Sequence, residues 1–167
     1  MKSFGIYELP KANHESFSKI KTYYWDYACP IIRSAFADSI LREKVFPQKQ
    51  TLNRNFITSP LGISGLSLRC YSNTDGANVF LYISKASKEK NKIIFDNLYY
   101  KKVDIERQLS HTLEWNRMNE YKSSKVVISL PNVNIGEKSD WEYMAKFQAE
   151  WARKFYDVFL PYLIDLG

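Results

Sequence analysis

The chain of 167 residues fits one domain and is long enough to bury about two-thirds of its unfolded surface in a single core. Hydrophobic residues make up 45% of the sequence and aromatic residues 16%, which argues against a globally disordered chain. The 24 Lys and Arg residues against 18 Asp and Glu residues give a formal charge of +6, which favours a polyanionic or acidic partner, although an ordinary basic surface explains it equally well.

The N-terminal part is predicted to be a short arm followed by a long helix. Residues 1–12 form the arm, and the domain itself is predicted to span residues 13–167. Asn13 can cap the helix, whose apolar residues keep near-helical spacing through Lys44. Pro30 interrupts that helix. Because proline removes an amide donor and clashes with the preceding turn, Pro30 either kinks one helix or begins a second.

Short segments with apolar, β-branched and aromatic residues predict the strands of a mainly antiparallel sheet. The clearest pair is Gly65–Tyr71 and Ala77–Ile83, because Asp75-Gly76 between them favours a tight turn. The remaining strands are predicted at Phe56 and Ile57, at Leu113–Arg117 and at Lys125–Leu130, the last of them ended by Pro131.

Three helices follow from the later segments. Ser87–Tyr100 has helical character with a basic exposed face, and Asp104 is the predicted cap of a short helix at Ile105–Ser110. Ser139 and Glu142 match a capping box, which begins a C-terminal helix. Behind it, apolar and aromatic residues recur at spacings of three and four, so one aromatic stripe is predicted to pack in the core.

Together these elements predict an α+β fold of one domain. A mainly antiparallel sheet of about five strands is flanked by a long N-terminal helix, a central lysine-rich helix and a C-terminal aromatic helix. Cys29 and Cys70 are predicted to be buried thiols, because two cysteines make neither a disulfide framework nor a zinc ribbon. No apolar run reaches the length of a signal peptide or a membrane span, so we expect a cytoplasmic location.

The sequence offers no cofactor motif and no metal-ligand set. Gly62-Ile-Ser-Gly65 matches neither a phosphate-binding loop nor a nucleophile elbow, and the two histidines, His14 and His111, form no H-E-x-x-H pair. A divergent metal-dependent nuclease would have to use Glu106 and Glu114 as metal ligands. A helix ion pair and a solvated strand carboxylate explain these two residues more simply, and no strand carries the acid-x-Lys pair of restriction endonucleases.

The segment from Lys85 to Lys102 is the strongest functional signal. Its six lysines face only two acids, which leaves a local charge of +4. Lysines of this kind bind phosphates without regard to base sequence, and neighbouring aromatic rings can stack on bases; a solvated helix face is the simpler alternative. The residues predicted to bind nucleic acid are Lys85, Lys88, Lys92 and Arg117 for charge, with Tyr99 and Trp115 for stacking.

Several short motifs between Ser16 and Phe159 resemble the prokaryotic domain-of-unknown-function family 4268. They are Trp25, Asn55-Phe56, Gly62-Ile-Ser-Gly65, Val79-Phe-Leu-Tyr-Ile83, Phe95-Asp-Asn-Leu98, Ile105-Glu106, Leu113-Glu-Trp115 with Arg117, and Asp140-Trp141. The resemblance implies a DNA-linked or defence-related setting, because members often follow a nuclease-like half in longer proteins. This sequence has no such upstream half, which speaks against an inherited nuclease activity.

We therefore expect a non-enzymatic, nucleic-acid-associated accessory module in a DNA-processing or defence setting, without a cofactor. Two alternatives stay open: the metal-dependent nuclease, and a protein-interaction domain that docks an endonuclease-type partner or a second copy of itself. The nucleic-acid hypothesis predicts that the lysines of the Lys85–Lys102 segment converge on one surface with Arg54, Arg69 and Arg117.

Overall fold

The computed structural model describes residues 14–38, 45–46 and 54–166. The predicted arm, its boundary with the domain and the predicted cap Asn13 lie outside the described residues. The same is true of the end of the first predicted helix at Lys44.

The first helix, α1, spans His14–Ser34, and Pro30 lies inside it, so one continuous helix forms. The prediction carried the helix too far along the chain. After Ser34 the backbone tightens into a turn, in which the amides of residues 35–37 each bond the carbonyl three residues earlier. The turn places Phe36 in the core, where its ring contacts those of Phe46 and Tyr156. The apolar pattern of the sequence continues beyond Ser34, but the turn that buries the Phe36 ring ends the helix at that residue.

The predicted antiparallel sheet of about five strands is confirmed. Its strands are β1 (Phe56–Pro60), β2 (Leu66–Ser72), β3 (Gly76–Ile83), β4 (Glu114–Asn116) and β5 (Ser124–Pro131), and they lie in the order β1-β2-β3-β5-β4. The β2–β3 turn differs from the expected one, because Gly76 belongs to β3 and Asn73 Oδ1 accepts hydrogen bonds from the amides of Asp75 and Gly76.

The two central helices are α2 (Lys88–Tyr100) and α3 (Lys102–Leu109). Ser87 caps α2 by accepting a hydrogen bond from the amide of Lys90. The predicted cap of α3 is wrong: α3 begins earlier, at Lys102, and Asp104 lies in its first turn, where it pairs with Arg107. An acidic residue in the first turn still interacts favourably with the helix dipole, which is why Asp104 resembled a cap in the sequence.

The C-terminal helix, α4, spans Trp141–Leu166 and follows a short 3-10 helix at Lys138–Asp140. The predicted capping box is not the arrangement found, because Ser139 lies within the 3-10 helix and the Glu142 carboxylate accepts a hydrogen bond from Lys146. The indole of Trp141 is buried and donates to the carbonyl of Ile135, which fixes the start of α4.

All four helices contribute to one core on a single face of the sheet. α1 packs on α4, α4 crosses β2, β3 and β5, and α2 and α3 pack beside α4. The predicted aromatic stripe of α4 is confirmed as core, since Trp151, Phe155 and Phe159 are buried against the other helices and the sheet. Among the described helices, none is both long and apolar enough to cross a membrane.

A buried polar group connects both layers of the fold. The amide of Gln148 on α4 has no exposed surface, and its Nε2 donates to Ser72 Oγ (2.8 Å) and to the carbonyl of Tyr71 (3.1 Å) on β2. Its Oε1 accepts from the Tyr24 hydroxyl of α1 (2.5 Å). Burial raises the pKa of Tyr24 well above its ordinary range, so this hydroxyl stays protonated and remains a donor.

The substitution Gln148→Leu should therefore lower the free energy of unfolding by about 2–4 kcal/mol, because it leaves several buried polar groups without partners. Gln108→Leu is the matched control, since Gln108 is exposed and bonds only the Tyr162 hydroxyl; it should stay within about 0.5 kcal/mol of the parent. Urea unfolding followed by tryptophan fluorescence measures both. Equal stabilities for the two variants would contradict this role of Gln148.

Candidate functional site

The sheet face that points away from the helices combines aromatic rings with positive charges. Side chains alternate across a strand, so the neighbours of the core residues point to this second face. Phe80 and Val127 show this well, because both are nearly buried yet belong to no part of the helix-covered core. We call this surface the open face; its residues include Phe56, Thr58, Ser67, Arg69, Tyr71, Asn78, Phe80, Tyr82, Glu114, Lys125 and Val127.

Arg69, on the central part of β2, lies between two aromatic rings. Its guanidinium carbon is 4.4 Å from the ring centroid of Phe56 on β1 and 4.1 Å from that of Tyr82 on β3. The guanidinium of Arg54 lies on the Phe56 ring as well, at 5.6 Å. The two rings flank the guanidinium at cation–π distance, and neither ring accepts a conventional hydrogen bond from its N–H groups.

Arg69 has no acidic partner among the described residues. Its Nε is buried and has no hydrogen-bond acceptor, the one such side-chain atom found in the described part of the chain. Burial lowers the pKa of Arg69 from its usual value; Tyr82 acts against this and Arg54 adds to it. Arginine stays protonated at neutral pH in spite of such a shift, so the open face holds a cation with an unused donor.

A cavity of about 480 Å³ lies on one side of Arg69, next to the β1–β2 turn. We call it the turn cavity. Gly65 has a positive φ of 80°, and a Cβ there would lie 2.7 Å from the Cα of Lys85, so only glycine fits. Lys85 Nζ donates to the carbonyl of Ser64 (2.9 Å) at this turn. The lining is rich in hydroxyl groups, contributed by Thr58, Ser64, Ser67, Tyr82 and Ser84.

A second cavity, of about 450 Å³, lies on the other side of Arg69. We call it the aromatic cavity. Three rings and one aliphatic side chain provide its apolar surface, and a carboxylate, an amide and an ammonium group add polar atoms. The Lys125 Nζ is 5.3 Å from the centroid of the Phe80 ring. Besides Arg69, the lining residues are Phe56, Tyr71, Asn78, Phe80, Glu114, Lys125 and Val127.

The pKa of the Tyr82 hydroxyl is lowered from its ordinary value. A side-chain hydrogen bond with Ser123 is the main cause that lowers the pKa of the Tyr82 hydroxyl, and burial opposes it. A hydrogen bond with Ser84 and the charges of Arg69 and Lys125 lower this pKa further. The charges of Arg69 and Lys125 thus contribute to the lower pKa of Tyr82, but less than the hydrogen bond with Ser123 does.

The structure places the sequence-predicted lysines differently from the prediction. Lys92 is 7% exposed and lies inside the protein, not on a surface. Its Nζ donates to the carbonyls of Arg117 (2.6 Å), Ser123 (2.7 Å) and Met118 (2.9 Å) and to Ser124 Oγ (3.0 Å). An ammonium group has three protons, so these four oxygens use all of them. Lys92 thus holds the β4–β5 connection against α2 and is not available to a phosphate.

Arg117 and the two predicted stacking residues are also engaged. Arg117 binds both carboxylate oxygens of Asp96, from Nε at 2.8 Å and from Nη2 at 2.9 Å, so its charge is compensated. Trp115 packs its ring against Phe159 on the helix-covered side of the sheet. Tyr99 is half exposed, but it packs beside Trp115 at the surface of that same side. None of these three residues belongs to the open face.

The remaining lysines of this segment do not converge with Arg54 and Arg69. Lys88 is exposed at the first turn of α2, while Lys101 and Lys102 follow its last turn and lie over the rings of Tyr100 and Tyr99. Thirteen residues of helix separate these two ends by about 20 Å. Of the predicted cations, Lys85 alone is at the open face, at the rim of the turn cavity.

Exposed apolar side chains surround the junction of α2 and α3. Tyr100 is 85% exposed and Val103 69% exposed, and Ile93 and Tyr99 lie on the same part of the surface.

The two carboxylates of the nuclease alternative lie on opposite faces of the sheet. Glu106 Oε2, on α3, accepts hydrogen bonds from the amide of Leu113 (2.7 Å) and from Trp115 Nε1 (3.1 Å), on the helix-covered side. Glu114 lines the aromatic cavity on the open face. They cannot share a metal ion, and no group of three or more potential ligands forms among the described His, Cys, Asp and Glu residues.

The sequence named Arg54, Arg69 and Glu114 separately but missed the aromatic residues beside them, because the signal of the open face is spread over the strands of the whole sheet. Phe56, Arg69, Phe80 and Tyr82 occupy outward positions of β1, β2 and β3, separated in sequence by up to 26 residues. Within each strand, the sequence indicates which residues point outward, because core and outward residues alternate. Only the strand order shows that these outward positions are neighbours.

Comparison with known proteins gives one result that concerns most of the chain. A family model described as Domain of unknown function (DUF4268) matches residues 20–163. Neither a curated protein nor a solved structure matches the chain.

The two lysines Lys92 and Lys88, four residues apart on α2, should respond differently to the same substitution. Lys92→Met leaves up to four oxygens without a donor and should lower the free energy of unfolding by about 2–4 kcal/mol. Lys88→Met, on the exposed side, should change it by no more than about 0.5 kcal/mol. Urea unfolding compares them, and equal effects would show that Lys92 does not hold this connection.

Proposed function

The chain belongs to the family described as Domain of unknown function (DUF4268), and we propose that it is a non-enzymatic module that binds single-stranded nucleic acid on the open face. The proposal keeps the nucleic-acid association expected from the sequence but moves the binding surface from the lysine-rich helix to the sheet. The DNA-processing or defence setting remains part of the same proposal.

One observation carries the proposal: the stacked, unpaired Arg69 between two cavities. Arg69 lines both cavities and has no acidic partner among the described residues, so a ligand that accepts hydrogen bonds from its guanidinium compensates a positive charge that the protein leaves unpaired. A phosphate oxygen or the acceptor edge of a base suits a planar guanidinium, because both can accept two parallel hydrogen bonds.

The surroundings of Arg69 have the composition of a base-stacking platform. Aromatic rings stand beside it on three strands, and Arg54 and Lys125 add positive charge. Proteins that bind single strands combine a positive surface with rings on which bases stack, at about 1–3 kcal/mol per base. The hydroxyl-rich turn cavity suits the sugar-phosphate backbone, and the aromatic cavity suits a base.

A single strand is favoured over a duplex because of the shape of the site. Rings at the floor of a cavity reach a base only if that base is unstacked from its neighbours and turned toward the protein. Phe56, Tyr71 and Phe80 line the aromatic cavity, and Phe80 is only 8% exposed, so a base reaches these rings only from within the cavity. Bases inside a duplex are stacked and paired, so their faces cannot contact these rings.

The exchange of Arg69 for Met tests the cation of the site. Arg69→Met should weaken binding of a fluorescein-labelled single-stranded oligonucleotide about ten- to a hundredfold, and the slope of log K against log salt should fall by about 0.7. Arg107→Met, an equal charge change on exposed α3, should leave the affinity close to that of the parent. Fluorescence anisotropy over a series of salt concentrations measures both quantities.

The same titration distinguishes the open face from the lysine-rich helix. A double variant Lys88→Met with Lys90→Met should bind nearly as well as the parent, because both residues lie on α2 away from the cavities. If that variant loses binding while Arg69→Met keeps it, the interface lies on α2. If the parent protein binds no oligonucleotide at low salt, the proposed function is wrong. Light scattering of the same samples shows whether the protein self-associates.

Stacking is tested separately by an aromatic residue of the aromatic cavity. Tyr71→Ala should weaken binding by about 1–3 kcal/mol and should leave the salt slope unchanged, since no charge is removed. Tyr143→Ala is the control, because Tyr143 is an exposed tyrosine of α4, in the helix layer on the other side of the sheet. Equal affinities for the two variants would argue against stacking in this cavity.

A further inference from the structure

We infer that Glu114 makes the aromatic cavity selective for bases that carry an amino group on the pairing edge, with cytosine preferred over thymine or uracil. This inference rests on the proposed function, because it concerns which base the same cavity accepts. Nothing in the family description assigns a role to this residue.

The aromatic cavity separates the face of a bound base from its edge. Phe56, Tyr71 and Phe80 provide its rings; cations already lie over Phe56 and Phe80, so Tyr71 is the ring against which a base can stack. The polar lining atoms then meet the edge of that base, where the bases differ in their hydrogen-bond donors and acceptors. The polar residues of the cavity are Arg69, Asn78, Glu114 and Lys125.

Glu114 supplies an acceptor in a surface that otherwise repels cations. Its side chain is exposed on the short edge strand β4, and within the described chain its carboxylate has no hydrogen-bond or ion-pair partner. An ionised carboxylate can only accept hydrogen bonds. A phosphate cannot donate to it, so this residue weakens nonspecific phosphate binding and gains a partner only when a base presents an N–H group.

Asn78 adds a second acceptor to the cavity. Its Nδ2 donates to Ser129 Oγ on the neighbouring strand β5 (2.8 Å), which orients the amide. The amide then keeps its oxygen as an acceptor and one N–H as a donor for a ligand. Lys125, held over the Phe80 ring, supplies a donor. The polar groups of the cavity thus include two hydrogen-bond acceptors, Glu114 and the Asn78 oxygen, for the N–H groups of a base. Two cations, Arg69 and Lys125, can donate hydrogen bonds to the acceptor atoms of the same base.

Cytosine matches this set better than thymine or uracil. Its N4 amino group donates two hydrogen bonds, and its N3 and O2 atoms accept from a lysine or an arginine. Thymine and uracil carry a carbonyl oxygen at the position of that amino group. Their only pairing-edge donor, N3–H, lies between two carbonyl oxygens, which a carboxylate repels. The difference in affinity should therefore come from Glu114.

The test compares oligo-dC with oligo-dT of equal length by fluorescence anisotropy. A mildly alkaline buffer keeps oligo-dC unprotonated and single-stranded. The parent protein should bind oligo-dC about five- to fiftyfold more tightly, the range for one good side-chain-to-base contact. In Glu114→Gln this ratio should fall to near one, because the amide offers a donor to the carbonyl of thymine. Oligo-C and oligo-U RNA repeat the comparison and show whether the 2′-hydroxyl contributes.

The ratio of the affinities for oligo-dC and oligo-dT decides whether Glu114 selects the base. Removing the negative charge should strengthen binding of both oligonucleotides, so affinity alone does not report selection. Glu120→Gln, an equal charge change on an exposed loop, should preserve the parent ratio. Equal affinities of the parent for oligo-dC and oligo-dT, or a ratio that Glu114→Gln leaves unchanged, would overturn the role of Glu114 while leaving the proposed function in place. Absence of binding to every oligonucleotide would instead overturn the proposed function itself.

Discussion

The whole structure depends on one constraint: the helices cover one face of the sheet and leave the other face without a helix. The alternation of side chains along each strand sends every second residue toward the helices, and there α1 and α4 bury them together with their own aromatic residues. The alternate residues have no helix to pack against. On an antiparallel sheet such a face is normally polar and solvated, so four aromatic rings with cations beside them are a departure from the usual composition.

The positively charged residues of this protein are of two kinds: those whose donors are satisfied within the fold, and those without an acidic partner among the described residues. Lys92 and Arg117 belong to the first kind, because carbonyl groups surround one and Asp96 binds the other through two hydrogen bonds. Arg69 belongs to the second kind. The lysine-rich segment carries more formal charge than the open face, yet a charge whose donors are already satisfied offers little to an anion. The number of positive residues in a segment is therefore a poor guide to where an anion binds.

The helix layer and the open face are connected through β2. Ser72 and the carbonyl of Tyr71, at one end of this strand, bond the buried amide of Gln148, while the side chain of Tyr71 lies in the aromatic cavity. The polar network that fixes the helices on the sheet thus also fixes the backbone from which the cavity is built. Rigid placement of this kind suits recognition, because a preformed site loses less conformational entropy on binding.

The sequence by itself determined the element types, the antiparallel hairpin, the burial of the α4 aromatic stripe and the family. These follow from local spacing: residues three or four apart share a helix face, and residues two apart share a strand face. It did not determine that Phe36 ends α1, that Lys92 lies inside, or that Glu106 and Glu114 lie on opposite faces. Tertiary structure alone decided these, and it alone brought Phe56, Arg69 and Tyr82 together, because strand order and layer packing make neighbours of residues that the chain keeps far apart.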